Sequence, residues 1–94
     1  MNNDEALRVL EEELAIFRDE AYDDLVRRIS TGSLDCERSA ASGAKYQVEV
    51  QFFWDDRPGG NVRVIGSIDD GGWRAFLPLS RSFIKAGDGS FVGE

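Results

Sequence analysis

Apolar residues recur every three or four positions over the first third of the chain, with charged residues between them. This spacing predicts an amphipathic helix over residues 4–30, because side chains three and four positions apart share one helical face. Asn3 or Asp4 can cap the first turn, and Gly32 can end the helix in a left-handed conformation. The predicted core stripe of this helix consists of Leu7, Leu10, Leu14, Phe17, Ala21, Leu25 and Ile29.

The pattern changes in the second half of the chain, where apolar and polar residues alternate. Alternation is typical of half-buried strands and predicts them at about 45–54, 62–69 and 72–80. Residues 31–44 are rich in Ser, Ala and Gly and have no period, so they are predicted to form a loop. A short C-terminal hairpin at 82–92 is a further option, since a Gly-Asp-Gly turn lies in its middle.

The turn residues between the predicted strands suggest how the strands pair. Asp70-Gly71 is typical of a two-residue hairpin turn, and such a turn would set the register of the second and third strands. The same alternation lets the first and second predicted strands pair as a hairpin, with the apolar side chains of both strands on one face of the sheet. The predicted pairs are Phe52 with Val64, Val50 with Gly66, Val48 with Ile68, Ile68 with Trp73, Gly66 with Ala75, Val64 with Leu77 and Val62 with Leu79.

These elements together predict an α+β fold. One N-terminal amphipathic helix packs on one face of a three- to four-stranded antiparallel meander, which gives two layers. A chain of 94 residues suits one hydrophobic core, so residues 1–94 are expected to form a single small domain.

Composition narrows the chemistry that this domain can perform. Eleven basic against eighteen acidic residues give a net charge of −7, which argues against nucleic acid or an anionic membrane as partners. The chain has no histidine and one cysteine, Cys36, so imidazole catalysis and an intrachain disulfide are excluded and a cytoplasmic location is expected. Asp55-Asp56 and Asp69-Asp70 fit ordinary turn chemistry. We therefore predict no catalytic, metal-binding or cofactor-binding residue, and non-enzymatic function is the preferred interpretation.

Apolar residues outside the predicted core point to association. On a helical wheel, Val9 and Ile16 lie opposite the core stripe. The predicted register places Ile65 and Phe76 on the outer face of the sheet, beside Phe53, and such faces often mark subunit or partner contacts. We expect a homodimeric binding or regulatory module that uses these five residues, with a basic protein as a further partner. The alternative for the sheet residues is that the C-terminal segment covers them.

A second interpretation is a small-molecule-binding or weakly catalytic domain with a pocket between helix and sheet. Gly66 opposite Ala75 would leave a place without side-chain volume where a ligand could sit. Filling of this depression by an aromatic side chain of the helix is the structural alternative. The residues that would line the pocket are Tyr46, Val50, Gly66, Trp73 and Ala75.

Overall fold

A computed structural model describes residues 1–72 and 77–94 and confirms the α+β fold. The four strands form one antiparallel sheet in chain order, and both helices pack on the same face of it. The first helix lies over the last two strands, and the second helix lies over the second strand. The elements are α1 (Asn3–Arg18), α2 (Tyr22–Ile29), β1 (Leu34–Ser39), β2 (Lys45–Trp54), β3 (Val62–Asp69) and β4 (Leu79–Lys85).

The helix predicted over residues 4–30 is divided into α1 and α2. Lys85 of β4 donates hydrogen bonds from Nζ to the carbonyl oxygens of Arg18 (2.8 Å) and Glu20 (2.6 Å). These carbonyls lie at the C-terminal end of α1, where backbone oxygens have no partner within the helix. Ala21 is extended and starts α2. The prediction of one continuous helix is wrong because a distant lysine stabilises the break.

The predicted loop at 31–44 contains a strand. β1 pairs with β2 in a regular antiparallel register, in which Leu34 lies opposite Val50. The prediction fails here because β1 is an edge strand with almost no buried side chain, so its sequence does not alternate between apolar and polar. Backbone pairing with β2 makes this segment a strand although its side chains bury little apolar surface.

The register of β2 and β3 is as predicted, but the register of β3 and β4 is not. Val64 lies opposite Phe83 instead of Leu77, and Ile68 lies opposite Leu79. Gly71 has a positive φ of 83°, as a turn glycine should, but β4 begins only at Leu79. The predicted strand 72–80 therefore coincides with β4 only at its last two residues. Trp73, Ala75 and Phe76 lie outside the described residues.

The core fills the space between the helices and the inner face of the sheet. Phe17 of α1 meets Phe52 of β2 edge to face, with ring centroids 5.4 Å apart. Within residues 1–72 and 77–94, no helix is long and apolar enough to cross a membrane. The buried apolar residues are Ala6, Val9, Leu10, Leu14, Phe17, Leu25, Tyr46, Val48, Val50, Phe52, Val62, Val64, Ile68 and Phe83.

Candidate functional site

The predicted pocket above Gly66 is filled by the helix. A Cβ atom built on Gly66 would lie 2.8 Å from Cδ1 of Leu10 and 2.9 Å from Cδ2 of Leu14. The glycine therefore lets α1 approach the sheet closely, and two leucines occupy the depression where an aromatic residue was expected. A small-molecule site has no space at this point. Two other predicted lining residues, Trp73 and Ala75, lie outside the described part of the chain.

The two remaining predicted lining residues, Tyr46 and Val50, belong to the core. The Tyr46 hydroxyl donates to Oε1 of Glu5 at 2.7 Å, and the Ser42 hydroxyl donates to the same oxygen at 2.9 Å. Burial, followed by the hydrogen bond to Glu5 and its negative charge, raises the pKa of Tyr46 to about 12. These contacts fasten the start of α1 to β2 and serve the fold.

We expect this contact to make stability fall at high pH. The folded state holds the Tyr46 proton more tightly than the unfolded state, whose tyrosines have pKa values of about 10. The contribution of the Tyr46 hydroxyl to the free energy of unfolding is therefore complete below about pH 10. This contribution is lost as the pH rises through the folded pKa of about 12. Urea unfolding of wild type and Tyr46→Phe over this range tests the prediction. The difference in unfolding free energy between the two proteins should shrink as the pH rises, and a constant difference would contradict it.

The predicted interface residues on the helix separate into one buried and one exposed residue. Ile16 is 54% exposed, but Val9 is only 6% exposed, so the prediction for Val9 is wrong. Val9 lies beside the turn that follows β1, where Ser39 and Ala40 line the same shallow cleft. The end of β1, a strand that was not predicted from the sequence, therefore lies beside Val9 and helps to bury it.

The face of the sheet opposite the helices, here called the outer face, carries an apolar half. The apolar half consists of Phe53, Ile65 and Ile84, one from each of three neighbouring strands. In the ladder Phe53 lies opposite Arg63 and Arg63 lies opposite Ile84, with Ile65 in the next row. Phe53 is 43% exposed, and the other two are half-buried. Ile84 was missed because the wrong register of β4 hid its position. Phe76, the other predicted member, is not among the described residues.

Arg63, which lies between Phe53 and Ile84 in the ladder, is already paired. Nη2 of Arg63 lies 2.9 Å from Oδ1 of Asp55 in a salt bridge, and Asp55 is largely buried. The described C-terminal segment does not cover this half, because Phe91 packs against Phe83 and under Arg18 on the helix side. The alternative of a covered outer face is therefore wrong for the described chain.

The other end of the outer face is acidic. The acidic half consists of Asp35, Glu37, Glu49 and Asp69, contributed by β1, β2 and β3, and Lys45 lies at its end on the same face, opposite Ser39. Asp35 lies directly opposite Glu49, and like charges in such a pair destabilise a sheet. Neither of these two carboxylates forms a salt bridge with the described residues. Two other carboxylates of the acidic half bond within the fold, because Gln47 donates to Glu37 and the backbone N–H of Gly71 donates to Asp69.

A shallow cleft of about 470 Å³ continues the apolar half around the edge of β2. It exists because β1 begins opposite Val50, so the last four residues of β2 have no strand on that side. Phe53 belongs to both surfaces and joins them. The cleft is lined by Ile29, Gly32, Ser33, Gln51, Phe52, Phe53 and Trp54.

The only thiol of the chain is that of Cys36. Partial desolvation by its neighbours, followed by the negative charge of Glu13, raises the pKa of the Cys36 thiol, which disfavours the nucleophilic thiolate. In the part of the chain that the structure describes, no group of three or more acidic or cysteine residues is placed to hold a metal ion.

Comparison with known proteins identifies no relative. No family model matches the chain, and no curated protein or solved structure is significantly similar to it.

Proposed function

We propose that this protein is a non-enzymatic, homodimeric binding module. Its apolar half contacts a second copy, and its acidic half binds a basic protein. One observation carries the proposal, namely the division of an uncovered sheet face into an apolar end and an acidic end.

The apolar half suits a contact between two copies. Two sheets that pack face to face interdigitate their side chains, and a two-fold axis brings the same patch of both copies together. Phe53, Ile65 and Ile84 supply the apolar side chains for such a contact. Arg63 enters it with its charge already balanced by Asp55, so no unpaired charge is buried. With the axis through the apolar half, the acidic halves can point away from each other.

The acidic half suits a basic partner. The net charge of −7 attracts basic proteins over a long range, and the four carboxylates concentrate this field at one place. A lysine or arginine placed between Asp35 and Glu49 would relieve their mutual repulsion. The cytoplasmic location predicted from the single cysteine remains part of this proposal.

We expect dimerisation to depend on Ile65. Size-exclusion chromatography with light scattering over a wide concentration range should give twice the chain mass of 10.5 kDa for the wild type. Ile65→Asp should give the monomer mass, because it places a charge in the centre of the apolar contact. Ile16→Asp is the matched control, since it makes the same change at an exposed position of α1, and it should remain dimeric.

Two outcomes would count against the dimer. A wild-type protein that is monomeric at every concentration would show that the apolar half does not bind a second copy. A dimer that persists in Ile65→Asp and dissociates in Ile16→Asp would move the interface to the helix side.

A further inference from the structure

The two edges of the sheet differ in how they are covered. Beside β4, the backbone N–H of Val92 donates to the carbonyl of Ile84 at 2.9 Å, and Phe91 forms a β-bridge with Lys85. Beside β1, no strand pairs on the outer side within the described residues. β1 is therefore the more open edge of the sheet.

The backbone of β1 is suited to accept another strand. An edge strand leaves alternate N–H and C=O groups unpaired, and an extended segment can bind them as an added strand. β1 pairs with β2 without a bulge from Leu34 to Ser39 and contains no proline. All of its residues except Arg38 are exposed. It offers six regular residues as a template.

The charge on this edge is negative on one face and only partly neutralised on the other. Asp35 and Glu37 project on the outer face, where they belong to the acidic half. Arg38 projects on the helix side, and its guanidinium pairs with Glu12 at 3.2 Å and with Glu13 at 2.5 Å. On the outer face, a segment that binds along β1 meets Asp35 and Glu37, neither of which forms a salt bridge with a described residue.

This charge pattern disfavours a second copy as the neighbour of β1. Opposite residues of an antiparallel pair project on the same face, so a two-fold pairing must be centred on a residue. Centring on Cys36 sets Asp35 against the Glu37 of the other copy, and centring on Glu37 sets that residue against itself. Both arrangements place carboxylates opposite carboxylates, which destabilises the pairing.

We propose that β1 binds an extended segment of a basic protein as a fifth strand of the sheet. Lysine or arginine at alternate positions of that segment faces Asp35 and Glu37, while backbone hydrogen bonds hold it along the edge. This inference rests on the proposed function, because it specifies how the acidic half takes its basic partner.

Synthetic peptides test the proposal directly. The first probe is an eight-residue peptide in which lysine and valine alternate. The second has the same composition with lysines and valines in adjoining pairs, which removes the strand period. The third probe is the alternating peptide N-methylated at every second residue. It is made in two versions, methylated at the odd or at the even residues, here called the two phases. Each version keeps the charge and blocks the N–H groups along one edge of the peptide. Binding is measured by calorimetry at low salt, and amide hydrogen exchange locates the peptide.

The alternating peptide should bind more tightly than the paired peptide by about tenfold or more. One of the two N-methylated phases should bind about tenfold more weakly than the unmethylated alternating peptide. The unmethylated alternating peptide should also slow exchange of the amides of β1. Asp35→Asn with Glu37→Gln should weaken binding about tenfold, since it removes the charges facing the lysines. The matched control, Asp19→Asn with Asp23→Asn, makes the same change in net charge on the helices and should bind within about twofold of wild type.

The possible failures are distinguishable. If both N-methylated phases bind equally well and the amides of β1 are not protected from exchange, strand addition is wrong. The proposal of a basic partner on the outer face would be unaffected by this result. Failure of every cationic peptide to bind would overturn strand addition and the basic partner together. Circular dichroism and the dimer mass show whether each variant retains its fold, so a loss of binding can be assigned to the edge.

Discussion

Replacing Leu14 by alanine should lower the free energy of unfolding by about 2–5 kcal/mol. Leu14 is 1% exposed, and its side chain fills the space above Gly66. The glycine has no side chain that could move into the resulting cavity, so the site relaxes poorly. Urea unfolding followed by tryptophan fluorescence measures the loss.

Ile16→Ala is the matched control for this prediction. Ile16 lies on the same helix but is 54% exposed, so its truncation should change stability by no more than about 0.5 kcal/mol. If Leu14→Ala had an equally small effect, α1 would not cover the inner face of the sheet and the core as described would be wrong.

The second large effect is expected at Lys85, where methionine should cost about 1–3 kcal/mol. Lys85 is 7% exposed, and its ammonium group donates to the carbonyls of Arg18 and Glu20. Methionine keeps a similar length and apolar stem but has no N–H, so these two carbonyls lose their donor. The loss should appear in urea unfolding and as faster amide exchange at the end of α1.

Lys45→Met provides the comparison for Lys85→Met. Lys45 is exposed at the start of β2, and its removal changes the net charge by the same amount without removing a buried hydrogen bond. Its stability should stay close to that of the wild type. If Lys85→Met were equally stable, water would satisfy the carbonyls and the break between the helices would have another cause.

The candidate surface was only partly predictable. Phe53 and Ile65 could be placed on the outer face because alternation fixes the face of each residue once a strand is recognised. Ile84 required the true register of β4. The opposition of Asp35 to Glu49 required β1, whose sequence carries no apolar alternation.

The sequence by itself determined the class of the fold, most core positions of the helical region and the pairing of β2 with β3, whereas Ala21 of the predicted core stripe is exposed. These features depend on local periodicity, and in the hairpin of β2 and β3 both strands show the same alternation on either side of a turn-rich segment. The local sequence pattern of apolar and polar residues is enough to specify these features.

Only the tertiary structure decided the division of the helix, the presence of β1, the register of β4 and the burial of Val9. Each depends on contacts between different elements of the fold. Lys85 stabilises the break after Arg18 from 67 residues away, and β2 supplies the hydrogen bonds that make β1 a strand. Such contacts override local preference because their free energy arises only when the chain has folded and brought the two groups together.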